Sequence, residues 1–308
     1  MNRGLKGWLR PVYDLLVRCR PVKAMVRREL SRVAAEPFSA ALIDDFVHGE
    51  CGSAYGVGPD QKMALVEDFR RCNAEIESGT SPLVHTVLAR EILSVPPEVE
   101  GDVIECGVWK GATAASLSLV CALVKRRLWV CDSFEGLPDD ALQLHRGPHV
   151  HIYGYYKKGM FAGGLDEVRE NIRRCGDLSA CEFVQGYFAE SLEALDRPLV
   201  CAFLDVDLVS STRDCLRRIW PLLVEDGALY TDDAGDMDVV RVYFDEAWWQ
   251  ETLGCAAPGL IGSGCGLPLN PKASSIGYIR KATRFDPTKW KKVPFHYYPE
   301  DEPGPRWR

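Results

Sequence analysis

The chain contains no Cys-x-x-Cys pair, no Gly-x-Gly-x-x-Gly run and no apolar stretch reaching the roughly 20 residues of a membrane span. Each absence removes a class of protein. The 12 cysteines are scattered, and Cys106, Cys131 and Cys201 fall inside stretches that read as buried strands. There, cysteine serves as a small core hydrophobe rather than as part of a disulfide framework. No secretory leader is legible, because the early apolar residues are interrupted by Lys6 and Arg10 and followed by Pro11. A reducing cytoplasm is the expected location. Positive charge is also in deficit: 37 Lys and Arg against 44 Asp and Glu leave a net charge of -7. That balance argues against a general nucleic-acid binder, which carries a basic field. No internal repeat is visible.

What is present fits one sizeable α/β core with appendages, the simpler use of 308 residues. From Val12 to about Ala34, apolar residues recur at helical spacing (Val12, Leu15, Leu16, Cys19, Val26, Leu30, Val33) among six basic ones, with Pro21 as a break. Three readings stand for this stretch: a helix docked on the core or on a partner subunit, a helix lying on a membrane surface, or a mobile arm. We therefore divide the chain into a basic helical extension (1–59), a main domain (60–283) and a Pro- and aromatic-rich tail (284–308).

Helices are expected at 62–77 and 82–93. From Asp102 the pattern alternates: strand 102–106, helix 111–125, strand 128–132, helix 164–175, strand 182–185, helix 189–195, strand 199–204, helix 212–223, strand 227–232, helix 238–252. Such alternation implies a mostly parallel sheet with helices on both faces. The run Ser274 to Lys281 reads as a late antiparallel strand. Two connections exceed the usual length of α/β loops, 133–163 and 258–273, and loops as long as the first are often lids.

The segment Asp102-Val-Ile-Glu-Cys-Gly-Val-Trp-Lys-Gly111 reads as a buried strand ending in an acid, then a glycine turn, then a helix. In nucleotide-binding α/β folds this turn and the helix N-terminus face the ligand, and dinucleotides put an anionic pyrophosphate there. Glu105 would repel a phosphate and suit a cation. S-adenosylmethionine carries no phosphate, a sulfonium and an ammonium, so Glu-x-Gly-x-x-x-Gly fits it better than NAD. Asp132 ends the second strand, 27 positions after Glu105. It can accept from both ribose hydroxyls, or cap the turn before Gly136. Gly186, Tyr187 and Phe188 follow the third strand and read as flanking an adenine ring or as ordinary packing.

Asp205 and Asp207 end the fourth strand, and Asp232 and Asp233 the fifth. Adjacent strand tips converge, and carboxylates packed together repel unless a cation neutralises them. All-oxygen ligation favours Mg2+, with Mn2+ and Ca2+ as alternatives. The competing reading has these acids capping the following helices, Asp207 above all, with an N-cap in Ser210, Ser211 and Thr212 and a capping-box-like partner in Asp214. His145, His149 and His151 in the long loop read as surface or lid histidines, or as a base or soft-metal site. Lys272 beside Pro271 is a weaker candidate for contact with a substrate.

Taken together, Glu105 to Gly111, Asp132-Ser-Phe-Glu-Gly-Leu-Pro138, Gly186-Tyr-Phe188, Leu204-Asp-Val-Asp-Leu208 with Ser211-Thr-Arg-Asp214, and Asp232-Asp233 resemble the macrocin O-methyltransferase family over roughly residues 60–282. The resemblance implies a Rossmann-like class I methyltransferase core and S-adenosylmethionine bound by Glu105, Gly107, Val108, Trp109, Gly111, Asp132, Ser133, Gly186, Tyr187 and Phe188. It also implies Mg2+ at Asp205, Asp232 and Asp233, Asp205 as the base, a lid after Pro138, a hydroxylated small-molecule acceptor such as an antibiotic sugar, and a homo-oligomer. Two features depart from the family pattern: Ala234 stands where an aromatic is usual, and residues 1–50 find no counterpart. A catechol-like acceptor, a non-catalytic cofactor-binding scaffold and, more remotely, an NAD oxidoreductase are the competing functions.

Overall fold

The computed structural model describes residues 39–139, 144–147, 150–153, 155–261 and 276–282, excepting the side chains of 144–147 and 150–153. The basic stretch 12–34, the tail 284–308, His149, Lys272 and the side chains of His145 and His151 lie outside the described residues. The strands are β1 (Asp102–Cys106), β2 (Leu128–Asp132), β3 (Leu144–Gly147), β4 (Val150–Tyr153), β5 (Cys181–Gln185), β6 (Leu199–Leu204), β7 (Leu223–Thr231) and β8 (Gly277–Arg280). Helices are α1 (39–48), α2 (Pro59–Glu75), α3 (Pro82–Ser94), α4 (Ala112–Val124), α5 (Leu165–Cys175), α6 (Phe188–Ser191), α7 (Val209–Leu222), α8 (Met237–Val242) and α9 (Glu246–Leu253).

Period-two alternation within short, almost wholly apolar strands builds two cores. Val103, Val130, Cys201 and Phe203 pack with α2 to α5, through Phe69, Leu88, Leu117 and Ile172. Ile104, Cys131, Ala202 and Leu204 point the other way, to Leu216, Ile219, Val242 and Trp249 of α7 to α9. Each fully buried Leu or Phe contributes roughly 1.5–3 kcal/mol, so both faces of the sheet need their helices. The order is β5-β2-β1-β6-β7-β8, parallel except for the antiparallel pairing of β7 with β8. This is the class I methyltransferase arrangement that the resemblance implied. The chain runs outward from β1 to β2 and β5, then returns to lay β6 against the other side of β1. That reversal opens a crevice above the tips of β1 and β6.

Several boundaries differ from the sequence expectation, each for a local reason. The helix expected over 238–252 is two, because Asp236 accepts from Asp238 N–H to cap α8 and Asp245 accepts from Trp248 N–H to cap α9. The helix expected at 212 starts at Val209 with Leu208 as its N-cap residue. Ser211 therefore sits inside the first turn, buried rather than capping. β7 begins directly at the end of α7, where Pro221 lies in the last helical turn. The long loop contains the antiparallel hairpin β3–β4, which the Gly and Pro content of the segment concealed. No described helix is long and apolar enough to cross a membrane.

Candidate functional site

Strand register decides which acids meet. Glu105 is aligned with Val130 on one side and Phe203 on the other, and Leu204 is aligned with Thr231. Backbone bonds knit the tips beyond: Gly107 N–H to Cys131 (3.0 Å), Asp205 N–H to Cys106 (2.9 Å) and Asp232 N–H to Leu204 (2.9 Å). Glu105, Asp132, Asp205 and Asp232 therefore end up along one edge, above a cavity of about 390 Å³ that all four line.

On the β1–β2 side, the turn after Glu105 approaches β6 closely. Gly107 has φ 84°, and a Cβ there would overlap the carbonyl of Asp205, so only glycine fits. Trp109 also adopts a left-handed φ of 46°, an uncommon state for a bulky residue. Gly163 lies against its carbonyl with no room for a side chain. Asp132 organises this turn from the next strand. Its Oδ2 accepts from Val108 N–H (2.7 Å) and, more weakly, Trp109 N–H (3.4 Å), while Oδ1 accepts from Phe134 N–H (2.8 Å). Ser133 Oγ closes the same turn on the Gly136 carbonyl at 2.8 Å. Burial raises the Asp132 carboxyl, and those backbone donors pull it back.

Glu105 has no such support. It is 1 % exposed, and its Oε2 makes no hydrogen bond among the described residues. Burial, and then the charge of Asp132, push its carboxyl well above the usual range. A buried acid with an idle oxygen favours a cationic or donor-bearing ligand.

The β6–β7 side is more crowded. One oxygen each from Asp205, Asp207 and Asp233 lies within 4.8 Å of the others. Burial, followed by the neighbouring acids, raises Asp205 and Asp233 well above the carboxylate range. Asp233 Oδ2 accepts from Val206 N–H (3.2 Å) and Asp207 N–H (3.1 Å), and Asp207 has a left-handed φ of 60°. Tyr156, from the segment after the hairpin, donates its hydroxyl to Asp207. Tyr156 contacts Phe161 (6.4 Å between centroids), and Phe161 contacts Trp109 edge-on (5.7 Å). This aromatic row walls the cavity from the acids to the turn.

Of the residues singled out in the sequence, Glu105, Gly107, Val108, Trp109, Asp132, Ser133, Tyr187, Phe188, Asp205, Asp232 and Asp233 line this cavity. Gly111 caps α4 and Gly186 donates to the Asp132 carbonyl (2.9 Å), both just outside the lining. Asp232 lines the cavity but is not among the three converging oxygens, whereas Asp207 is. The lining also includes Ser78, Thr80, Thr113, Tyr156, Phe161, Ser211 and Asp236, none of which the sequence singled out for ligand contact. Thr113 had a signal, since it stands in the first turn of the helix after the glycine turn. The others come from distant segments with no spacing to mark them.

Eight carboxylates and no Lys, Arg or His line the cavity among the described residues. The family model described as Macrocin-O-methyltransferase (TylF) matches residues 86–255. Among curated proteins, the chain is 35% identical over 143 residues to 8-demethyl-8-(2,3-dimethoxy-alpha-L-rhamnosyl)-tetracenomycin-C 4'-O-methyltransferase of Streptomyces olivaceus, covering 44% of this chain and 53% of that protein. It is 28% identical over 206 residues to mycinamicin III 3''-O-methyltransferase of Micromonospora griseorubida, covering 62% of this chain and 79% of that one. The chain thus spans about half the length of the first of these relatives. A solved structure of the O-methyltransferase NovP aligns at 19% identity and a TM-score of 0.48 over 80% of this chain and 99% of that one.

Proposed function

Because the chain belongs to the macrocin-O-methyltransferase family, we propose that it transfers a methyl group from S-adenosylmethionine to a hydroxyl of a sugar or glycosylated secondary metabolite, assisted by Mg2+. The observation that carries this reading is a single cavity joining an under-satisfied Glu105 to the convergent acids Asp205, Asp207 and Asp233, with no basic side chain in its described lining. The donor sets suit the two groups. Glu105 offers an idle carboxylate oxygen to an ammonium, and Asp132, held by backbone N–H groups, presents its remaining lone pairs to ribose hydroxyls. Three carboxylates at close quarters suit a hard divalent ion.

When bound, the cofactor supplies an electrophilic methyl and the ion makes an alcohol oxygen easier to deprotonate. The chain does the rest. Glu105, Gly107, Val108, Trp109, Gly111, Asp132 and Ser133 hold the donor, with Tyr187 and Phe188 beside its base and Gly186 behind them. Asp205, Asp232 and Asp233 hold the ion in this reading, and Asp207 joins them by its position. The chain would have to hold the acceptor hydroxyl against the bound donor, and the one cavity shared by Glu105 and the strand-tip acids would serve that end. Asp205, raised by burial and by its neighbours, receives the acceptor's proton. Residues 133–163 act as a lid in this reading, with Tyr156 and Phe161 as its contribution to the cavity lining, and closing it would exclude water.

Incubating the protein with labelled S-adenosylmethionine and a panel of glycosides, with Mg2+ or with EDTA, tests the reading. Methylated glycoside that disappears on chelation is the expected result. Methylation of catechols in preference to glycosides would move the acceptor class, and turnover undiminished by EDTA would remove the ion.

A further inference from the structure

His85 is wholly buried in α3, and no step above uses it. Its ring is wired on both sides. Nδ1 lies 2.9 Å from Ser116 Oγ, and Nε2 lies 2.9 Å from Thr80 Oγ1 and 3.2 Å from Thr113 Oγ1. Thr80 and Thr113 are 2.9 Å apart, and both line the cavity beside the glycine turn. Burial lowers the ring's pKa to about 3, so His85 is neutral at working pH and carries one ring proton.

The position of that proton decides what the cavity sees. Ser116 has one hydroxyl proton and three groups in reach, His85 Nδ1 at 2.9 Å, the Ala112 carbonyl at 3.2 Å and the weakly accepting sulfur of Cys72. The nearer of the two stronger acceptors is the ring nitrogen. With Ser116 donating to Nδ1, the ring proton resides on Nε2 and is donated to Thr80. Thr80 Oγ1 has two hydroxyls in reach, Thr113 Oγ1 at 2.9 Å and Ser78 Oγ at 3.1 Å; donation to the nearer, Thr113, leaves the Thr113 hydroxyl proton to point into the cavity. The opposite tautomer reverses the chain: the threonine protons are drawn inward and the cavity meets lone pairs.

An amino-acid-bearing cofactor needs both kinds of partner. Its ammonium has Glu105, while its carboxylate needs donors in a lining where no Lys, Arg or His is described. Lys110 is engaged by Glu77 at 2.7 Å. On the reading that this cavity binds S-adenosylmethionine, we propose that His85 is a positioning residue: its Nε2–H, relayed through Thr80, turns the Thr113 hydroxyl proton toward the cofactor's carboxylate. The role rests on direction of donation, so a substitution that keeps a donor at the Nε2 position preserves it and an apolar one does not.

Calorimetry with two probes separates this role from simple packing. S-adenosylhomocysteine carries the amino-acid end, and 5′-methylthioadenosine lacks it. His85→Leu and Thr113→Val should each weaken S-adenosylhomocysteine about tenfold while leaving methylthioadenosine within about twofold. His85→Gln, whose amide can donate from the Nε2 position, should stay within about threefold of wild type. Equal weakening of both probes, or no weakening of either, overturns the proposal. If His85→Leu does not fold, the 15N spectrum of His85 in the saturated wild-type protein decides: the Nε2–H tautomer supports the relay, and the Nδ1–H tautomer overturns it. Failure of wild type to bind S-adenosylhomocysteine would instead remove the cofactor reading beneath it.

Discussion

The two halves of the cavity treat their acids in opposite ways. Toward β2, Asp132 spends its oxygens on backbone N–H groups of two turns, and His85, Thr80, Thr113 and Ser116 satisfy one another. Toward β7, Asp205, Asp207 and Asp233 face each other at short range, with Val206 N–H and Asp207 N–H donating to Asp233 and Tyr156 to Asp207. The first half is preorganised by the protein itself, with Glu105 Oε2 unpaired among the described residues. The second carries a surplus of negative charge that a cation would relieve. Preorganisation by hydrogen bonds and preorganisation by repulsion thus occur side by side in one cavity.

The largest expected effect strikes the repulsive half. Asp233→Asn should lower glycoside methylation by about 10²–10³-fold while S-adenosylhomocysteine binding, followed by calorimetry, is retained. A parallel loss of both would erase the division between the halves. Next in size is the response to the ion: Mg2+ at a hundred times its dissociation constant should stabilise the wild-type protein by about 2.7 kcal/mol. Asp205→Asn should abolish that gain in denaturant titrations, whereas Glu105→Gln should keep it.

A pair of isosteric changes then sharpens the contrast through its sign. In the absence of the ion, Asp132→Asn should destabilise by about 1–3 kcal/mol, because an amide nitrogen now meets a backbone N–H. Asp205→Asn should stabilise, because it removes a charge that burial and the neighbouring acids oppose in the folded state. Equal signs in thermal melts would contradict the comparison.

The last effect concerns acid, and its size depends on how much of the pH window is crossed. His85 has a folded pKa of about 3, below its ordinary value of 6.5. The unfolded chain therefore binds the proton first, and the stability present above pH 6.5 is lost as pH falls toward 3. The contribution is a slope of about 1.4 kcal/mol per pH unit within that window. His85→Gln should flatten the stability profile there by that amount, measured as the difference from wild type because the raised carboxyls act with the opposite sign.

Particular residues show how far the sequence could be read. The strands at 102–106, 128–132 and 199–204 were legible to the residue, since short apolar runs between glycine turns and helical periods leave little choice. The clustering of acids at the strand tips followed from parallel order. For Asp207 the sequence supports both a place among the strand-tip acids and a structural role, because the serines and threonine after it resemble a cap; the helix instead begins two residues beyond it. Tyr156 and the β3–β4 hairpin went unseen because four-residue strands in a Gly- and Pro-bearing segment leave almost no period to detect. His85 carried no mark at all, being one histidine on an apolar helix.

The order of residues by itself determined the alternating α/β plan, the glycine turn after Glu105 and the presence of acids at successive strand ends, because periodicity and backbone permissiveness are local properties. Only the folded chain decided which of those acids share an ion-sized space and which aromatic side chains close over it. It alone also brought a buried histidine to hold two cavity hydroxyls. Those outcomes depend on distances between segments far apart in the chain, and distances are set by how β1 and β6 pair and how α3 packs on α4.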